Sequence, residues 1–180
     1  MGCWIFILML LFSLAGAGYA GNSGKTEERR SQIKPICLNP VGVVKRQGER
    51  TFLEISPELA PALKGIQDFS HIWVFYLFHE QDRPAERQTL QVHPRRDPAN
   101  PLTGVFACRA PARPNLIGLT ACRLLKVDGT VLEVEGLDAN DGSPILDLKP
   151  YIAEGDSLPE AVTPAWVKRP RPPAKEAPPH

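Results

Sequence analysis

His71-Ile72-Trp73-Val74-Phe75-Tyr76-Leu77-Phe78-His79 is the stretch of this chain that decides the fold. Every residue between its two histidines is apolar or aromatic, and such side chains favour an extended backbone. Both alternating faces of the strand are apolar, which predicts a central strand buried on both sides. The rest of the domain is expected to assemble around this strand.

Two further strands and a helix are predicted close to it in the sequence. Val41–Lys45 and Thr51–Ile55 are rich in β-formers and flank the polar segment Arg46–Arg50, so they predict a β-hairpin. Pro57 suits the first turn of a helix, and Glu58–Lys64 continue it as a short helix that covers one end of the fold.

The later part of the domain also has the pattern of short strands. Thr89–Val92 and Val105–Cys108 are predicted to be extended, and Leu116–Val127 and Val131–Glu135 flank the hairpin signal Asp128-Gly129. Alternation of strands with long helices is absent from the pattern. We therefore predict a mainly β fold: a single compact β-barrel domain with one short helix, because closure removes exposed strand edges.

The two ends of the chain differ in composition from the domain. Residues 1–20 carry no charge, and the apolar run Trp4–Leu14 leads into small residues, as in a signal-peptide-like leader. This predicts an exported or periplasmic protein with no stable membrane span after cleavage; a start codon assigned too early would make it cytoplasmic. We assign 21–34 to a linker, 35–164 to the barrel and 165–180 to a disordered tail rich in proline and basic residues.

Charge and cysteine content exclude some classes of function. The chain has 21 Lys and Arg against 20 Asp and Glu, so its net charge of +1 gives no overall case for a polyanionic partner. Residues 82–113 are locally basic, with six arginines against three carboxylates. Beyond the leader the three cysteines, Cys37, Cys108 and Cys122, lack a metal-binding spacing and allow at most one disulfide, so no metal site is expected.

The turn Gly104-Val-Phe-Ala-Cys-Arg-Ala-Pro-Ala-Arg-Pro-Asn-Leu-Ile-Gly118 is the first candidate site. Its prolines restrict the backbone around Arg109 and Arg113, so that less entropy is lost when a guanidinium binds a carboxylate or phosphate. The turn therefore predicts capture of an anion or zwitterion. In the alternative interpretation, one arginine forms a structural salt bridge with Asp141 or Asp147.

Two other polar groups are candidates for ligand contact. His79 and Glu80 follow the central strand at the rim of the barrel, where they either meet a ligand or mark the point at which the strand enters water. Asp141-Gly142-Ser143-Pro144 has the composition of a turn whose amides and hydroxyl can bind a ligand, or of an ordinary turn. Neither a catalytic triad nor a pair of catalytic carboxylates stands out, and the catalytic residue stays unknown.

These motifs occur in an order that resembles one known family. The TsaA-like (TrmO, formerly YaeB) family carries similar signatures, and the resemblance covers about residues 36–164. The matching segments are Phe69-Ser70-His71-Ile72-Trp73, Phe78-His79-Glu80, Gly104-Val105-Phe106-Ala107-Cys108-Arg109, Arg113-Pro114-Asn115-Leu116-Ile117-Gly118, Asp141-Gly142-Ser143-Pro144 and Asp147-Leu148-Lys149-Pro150-Tyr151.

The resemblance implies a dimeric β-barrel that binds S-adenosylmethionine and methylates the exocyclic amine of threonylcarbamoyl-adenosine beside the anticodon of tRNA. The cofactor-binding positions that it implies are His79, Glu80, Arg109, Leu119, Asp141, Gly142, Ser143 and Pro144, together with Arg46 and Gln47. The tRNA-binding positions that we expect are Arg113, Asn115 and Lys149.

The chain departs from the family pattern after the first strand. A longer loop that contacts the cofactor is shortened here to Lys45–Arg50, with Arg46-Gln47 as its remnant. Cys108 and Leu116 also replace a usual threonine and proline. The short loop and the leader favour an alternative function, in which an exported barrel binds S-adenosylmethionine or another adenosine-like ligand without modifying tRNA. The retained motifs favour the methyltransferase.

Overall fold

The structure, a computed structural model, describes residues 36–168. The strands are β1 (Gly42–Gln47), β2 (Arg50–Ile55), β3 (His71–Leu77), β4 (Gln91–Val92), β5 (Thr103–Gly104), β6 (Ile117–Asp128), β7 (Val131–Glu135) and β8 (Pro144–Pro150). The α-helices are α1 (Pro84–Gln88) and α2 (Ala153–Asp156). A 3-10 helix covers Pro57–Leu63, and shorter 3-10 turns cover Ile66–Asp68, His79–Gln81, Pro94–Arg96, Val105–Ala107 and Ala165–Lys168.

Six of the strands close into a barrel, which confirms the predicted fold class. Their order around the barrel is β1-β2-β7-β6-β3-β8, every pairing is antiparallel, and β1 pairs with β8 to complete the circle. Strands β4 and β5 form a separate two-stranded ribbon. The predicted hairpin at Asp128-Gly129 is confirmed, since β6 and β7 meet there with Gly129 at φ +61°.

Strand β3 is central, but only one of its faces is fully buried. Ile72, Val74 and Tyr76 point into the barrel and are buried, whereas Trp73 and Phe75 on the other face are half-exposed. The prediction of burial on both faces was therefore wrong. A closed barrel has a single interior, so the second face of each strand meets solvent unless another element covers it.

The first hairpin is tighter than the sequence suggested. Strands β1 and β2 pair out to Gln47 and Arg50, so the connection is the two-residue turn Gly48-Glu49. Gly48 has φ +61°, a conformation that glycine adopts without a steric penalty. Arg46 and Gln47 consequently lie in the strand and not in a loop.

One predicted short helix is confirmed with a different helix type, and one strand was predicted wrongly. The helix predicted over Glu58–Lys64 is a 3-10 helix, Pro57–Leu63, because Pro61 inside it has no N–H to continue an α-helical ladder. The predicted strand Val105–Cys108 also forms a 3-10 turn, and the side chain of Arg113 donates to two carbonyl oxygens of this segment. Hydrogen bonds from this side chain to the backbone replace strand pairing there.

Strand β8 closes the barrel, and the sequence pattern predicted only the turn before it. Gly142 in that turn has φ +75°, and Pro144 begins the strand opposite Val43. Asp147 and Lys149 of β8 are exposed, which interrupts the apolar pattern by which a strand is recognised.

Several predicted segments lie partly or wholly outside the described residues. The leader 1–20 and the linker 21–34 are outside them, as is most of the predicted tail. Four residues assigned to that tail, Ala165–Lys168, form a 3-10 turn, where the Val167 carbonyl accepts a hydrogen bond from Arg95 Nη2 at 2.7 Å. Between residues 36 and 168 no helix is long and apolar enough to cross a membrane.

Candidate functional site

Residues 136–143, which join β7 to β8 and are called the site loop below, pack over the barrel interior. Leu137 and Ala139 are buried and belong to the hydrophobic core. The hydroxyl of Tyr76, on the inner face of β3, donates to the carbonyl oxygen of Asp138 at 2.7 Å. Core packing and this hydrogen bond therefore hold the backbone of the loop.

Arg46 in β1 holds the same loop from the other side. Its Nε and Nη2 atoms donate to the carbonyl oxygens of Ala139 and Leu137, both at 2.9 Å. Its backbone N–H donates to Oδ1 of Asp141 at 2.8 Å. Arg46 was predicted to contact a cofactor, and in this structure its Nε and Nη2 donors serve the loop that carries Asp141.

The rim residues of β3 meet the site loop directly. Asn140 Nδ2 donates to Glu80 Oε2 at 2.6 Å, and Ser143 Oγ lies 3.3 Å from His79 Nδ1. Ser143 is only 2% exposed, so its hydroxyl and the imidazole share a hydrogen bond largely out of water. These four residues and Asp141 form one polar cluster.

Gly142 is favoured by the backbone conformation of this turn. Its φ of +75° is one that other residue types rarely adopt, whereas a Cβ atom there would only be in ordinary contact with Nε2 of His79 at 3.7 Å. The rim pair and the turn, which only the family resemblance had linked, lie together in the structure.

Arg109 and Arg113 have different environments. Arg113 Nε donates to Ala110 O at 2.8 Å, and its Nη2 donates to Val105 O at 2.7 Å and Cys108 O at 2.6 Å. Arg109 is exposed and makes no hydrogen bond or ion pair within the described part of the chain. Arg113 thus holds the turn together, and Arg109 is available to a ligand.

The alternative of a structural salt bridge for these arginines is not what the structure shows. Asp147 pairs with Lys149, with 2.9 Å between Oδ2 and Nζ. Asp141 accepts the backbone N–H of Arg46. The carboxylates suggested as partners of Arg109 therefore have other neighbours.

The Tyr76 hydroxyl that anchors the site loop has a raised pKa. Burial raises this pKa, the hydrogen bond to Thr120 opposes the rise, and the negative charge of Asp138 adds to it. The positive charge of Arg109 acts in the opposite direction and lowers the pKa of Tyr76. The net shift favours the protonated hydroxyl, which is the form that donates to the Asp138 carbonyl oxygen.

Tyr76 is a site residue that the sequence did not reveal as one. It lies opposite Gly118 in the β3–β6 pair, and a Cβ atom at Gly118 would be 2.5 Å from its ring. Gly118 is therefore required for the ring to reach Asp138. Gly118 belongs to the Arg113–Gly118 motif, and this glycine was the signal in the sequence from which a large side chain opposite it could have been inferred.

The remaining predicted residues lie outside this cluster. Leu119 is exposed on the outer face of β6 opposite Phe75, and Lys149 is exposed on β8 opposite Trp73. Asn115 is exposed before β6. Their assignments stay predictions.

Two predicted cofactor residues lie in strands at the edge of the site. Gln47 is exposed at the end of β1, opposite Arg50. Pro144 is half-buried at the start of β8, directly after the cluster residue Ser143. Their assignments, too, stay predictions.

The chemistry available at the site is that of binding a small charged molecule. An unpaired guanidinium suits a carboxylate, and the carboxylates of Glu80 and Asp141 suit a cationic or hydroxyl-bearing group. Over residues 36–168, no group of three His, Cys, Asp or Glu side chains is placed to hold a metal ion. The donor set is that of a site for a zwitterion.

Comparison with known proteins identifies relatives of two kinds. A probable S-adenosyl-L-methionine-binding protein of Methanothermobacter thermautotrophicus is 44% identical over 137 residues, which cover 68% of this chain and 95% of that protein. The tRNA (adenine(37)-N6)-methyltransferase of Mus musculus is 45% identical over 96 residues, which cover 53% of this chain but only 22% of the mouse enzyme.

Solved structures show the same fold. A crystal structure of TrmO from Pseudomonas aeruginosa aligns with a TM-score of 0.59 and 28% identity, over 75% of this chain and 63% of that one. The chain therefore spans less than two thirds of this solved relative. The family model of the tRNA-methyltransferase O N-terminal domain matches residues 34–157, and the chain belongs to this family.

Proposed function

We propose that this protein is an S-adenosylmethionine-dependent methyltransferase that acts on an adenine of tRNA. The observation that carries the proposal is the polar cluster that His79 and Glu80 form with the site loop, in a domain where the exposed guanidinium of Arg109 has no hydrogen-bond or ion-pair partner among the described residues. The names of the archaeal and mammalian relatives support the cofactor and the reaction.

The residues present fit this cofactor. Its methionine part carries a carboxylate, which Arg109 can bind, and its sulfonium is stabilised by nearby negative charge such as that of Glu80 or Asp141. The rigid site loop presents Asp141 without further ordering, because Arg46 and Tyr76 already fix the backbone of the loop.

When bound, the cofactor supplies a methyl group attached to a cationic sulfur. The protein's part is to orient the acceptor amine in line with that carbon, and such positioning accounts for much of the rate in displacement reactions. The Ser143–His79 pair fixes the wall of the site, and Arg109 fixes the end of the ligand that bears the carboxylate. Our proposal for the acceptor is the exocyclic amine of threonylcarbamoyl-adenosine next to the anticodon.

The test is calorimetric titration of S-adenosylmethionine into the full chain, followed by transfer of labelled methyl to tRNA that does or does not carry threonylcarbamoyl-adenosine. Arg109→Ala should weaken cofactor binding about 10- to 100-fold, as expected for loss of a charged hydrogen bond. Arg123→Ala is the matched control, because Arg123 is also exposed and contacts only Glu135 at 3.8 Å among the described residues. Equal affinities for the two variants would refute the assignment of Arg109.

A second function is favoured by the two-residue turn between β1 and β2. It leaves Arg46 in the strand, engaged with the site loop, where the family resemblance implies a longer loop that contacts the cofactor. We propose as the alternative a barrel that binds S-adenosylmethionine or a similar adenosine-like ligand without modifying tRNA. Cofactor binding with no methyl transfer to either tRNA would favour it.

Assembly and location belong to the same proposal. A homodimer is implied by the family resemblance, and sedimentation velocity of the full chain measures it. Export is predicted from the leader, and fractionation of the native host measures that. Detection of the protein only in the cytoplasm would refute export.

A further inference from the structure

Phe106 is an exposed aromatic residue on a firmly held backbone. Its side chain is 84% exposed, whereas its neighbour Val105 is buried and anchors the turn. Arg113 donates to the carbonyl oxygens of Val105, Cys108 and Ala110 at 2.6–2.8 Å. The ring is thus presented to solvent by a turn whose backbone is already ordered, which lowers the entropic cost of binding a partner.

Other apolar side chains are exposed on the same segment. Leu90 is 64% exposed directly before β4, and Leu102 is 58% exposed directly before β5. The Leu90 carbonyl accepts the N–H of Val105 at 3.0 Å, which joins the ribbon to the Phe106 turn. An apolar group of this kind on the surface indicates a binding region.

The charge of the segment indicates the partner. Residues 82–113 carry six arginines and three carboxylates, which leaves a net positive charge. Arg83 and Arg87 form ion pairs within the segment, and Arg113 donates to backbone carbonyls. Arg109, three positions from Phe106, is exposed and has no such partner among the described residues. A second copy of the chain docked through this segment would bring two positively charged surfaces together, which opposes association. A polyanion gains from the same charge, and unpaired RNA bases stack on exposed aromatic rings between basic side chains.

We propose that the ring of Phe106 stacks on an unpaired base in the loop of an RNA substrate and that the net positive charge of residues 82–113, to which the exposed Arg109 contributes, attracts its phosphates. This proposal rests on the proposed function and names the surface through which the RNA is held.

The experiment compares the full chain with Phe106→Ala, Phe106→Tyr and Val162→Ala. Val162 is 95% exposed and lies outside the basic segment, so its variant controls for loss of an exposed apolar side chain. The probes are a fluorescent RNA hairpin with an unpaired loop and a fully paired RNA of equal length, measured by anisotropy. Calorimetry with S-adenosylmethionine and sedimentation velocity accompany each variant.

Phe106→Ala should weaken binding of the hairpin about 5- to 100-fold, which is the range for loss of one stacked base. Phe106→Tyr and Val162→Ala should bind it like the unchanged chain, and binding of the paired RNA should be unchanged in all variants. Cofactor affinity should also stay the same.

Each other result overturns the proposal in a recognisable way. Equal hairpin binding by Phe106→Ala, with methyl transfer intact in the unchanged chain, removes the stacking role and leaves the proposed function standing. Loss of cofactor affinity in Phe106→Ala assigns the ring to the cofactor site instead. A shift from dimer to monomer assigns it to self-association. Failure of the unchanged chain to bind the hairpin refutes the proposal together with the RNA substrate.

Discussion

Arg46 Nε donates to the carbonyl oxygen of Ala139 at 2.9 Å across 93 positions of sequence. Its Nη2 donates to the carbonyl oxygen of Leu137 at the same distance. The first strand of the barrel thereby fixes the loop that carries Asp141 and Ser143. We regard Arg46 as a positioning residue for the site.

Arg46→Lys should separate positioning from charge. A lysine keeps the positive charge but cannot present the two directed donors of a guanidinium, so the loop should loosen. We expect a loss of about 1–2 kcal/mol in the free energy of unfolding and a weaker affinity for S-adenosylmethionine. Urea unfolding and calorimetry measure the two effects, with Arg123→Lys as control. Unchanged affinity despite lower stability would leave Arg46 a purely structural role.

Gly118→Ala should disturb the anchor of the site loop. The added methyl group would lie 2.5 Å from the Tyr76 ring, and overpacking of this kind costs about 1–3 kcal/mol. Gly155→Ala is the control, because a Cβ atom there meets nothing within 4 Å. Thermal unfolding and near-ultraviolet circular dichroism report stability and the tyrosine environment. Equal melting temperatures of the two variants would contradict the predicted crowding.

Arg113→Ala should release the turn that presents Phe106 and Arg109. Three hydrogen bonds to backbone carbonyls are lost, so residues 105–110 should open more often than in the unchanged chain. Trypsin should then cleave after Arg109 faster, and amide exchange should rise in this segment. Arg87→Ala removes one bond to this turn, to the Pro114 carbonyl at 3.0 Å, together with an exposed ion pair to Asp82, and should have a smaller effect on residues 105–110. Slow cleavage of Arg113→Ala would contradict the assigned role.

Stability should fall in alkaline solution because of Cys122. Burial raises the pKa of its thiol from about 9 to about 12, so the folded state holds the proton more tightly than the unfolded state. The stability contributed by the neutral thiol is complete below pH 9 and is lost as the pH rises towards 12.

Urea unfolding of the unchanged chain and of Cys122→Ala over this interval tests the point. As the pH rises, the free energy of unfolding of the unchanged chain should fall relative to that of Cys122→Ala. The fall is at most about 1.4 kcal/mol per pH unit. Ionisation of groups that do not interact with Cys122 occurs in both proteins and cancels in the comparison. The Tyr76 pKa is raised in part by the charge of Cys122, so Tyr76 is followed separately by its ultraviolet absorbance. If the free energies of unfolding of the two proteins change with pH in parallel, the Cys122 thiol has the same pKa in the folded and the unfolded state, and the prediction is contradicted.

Local patterns predicted much of the barrel and only part of the site. The β6–β7 hairpin followed from β-forming runs around Gly129, and the turn before β8 followed from Asp141-Gly142. Strand β8 was missed because Asp147 and Lys149 interrupt its apolar pattern. The Val105–Cys108 segment was predicted wrongly because Arg113, and not strand pairing, determines its backbone.

The sequence by itself determined the mainly β class, the order of the motifs and the candidates His79, Glu80 and Arg109, because residue type and alternation act over short distances along the chain. Only the tertiary structure decided which side chains hold the loops of the site and which remain available to a ligand. Arg46 and Arg113 hold loops whereas Arg109 stays available, since hydrogen bonds from a side chain to backbone carbonyls depend on geometry and leave no pattern in the sequence.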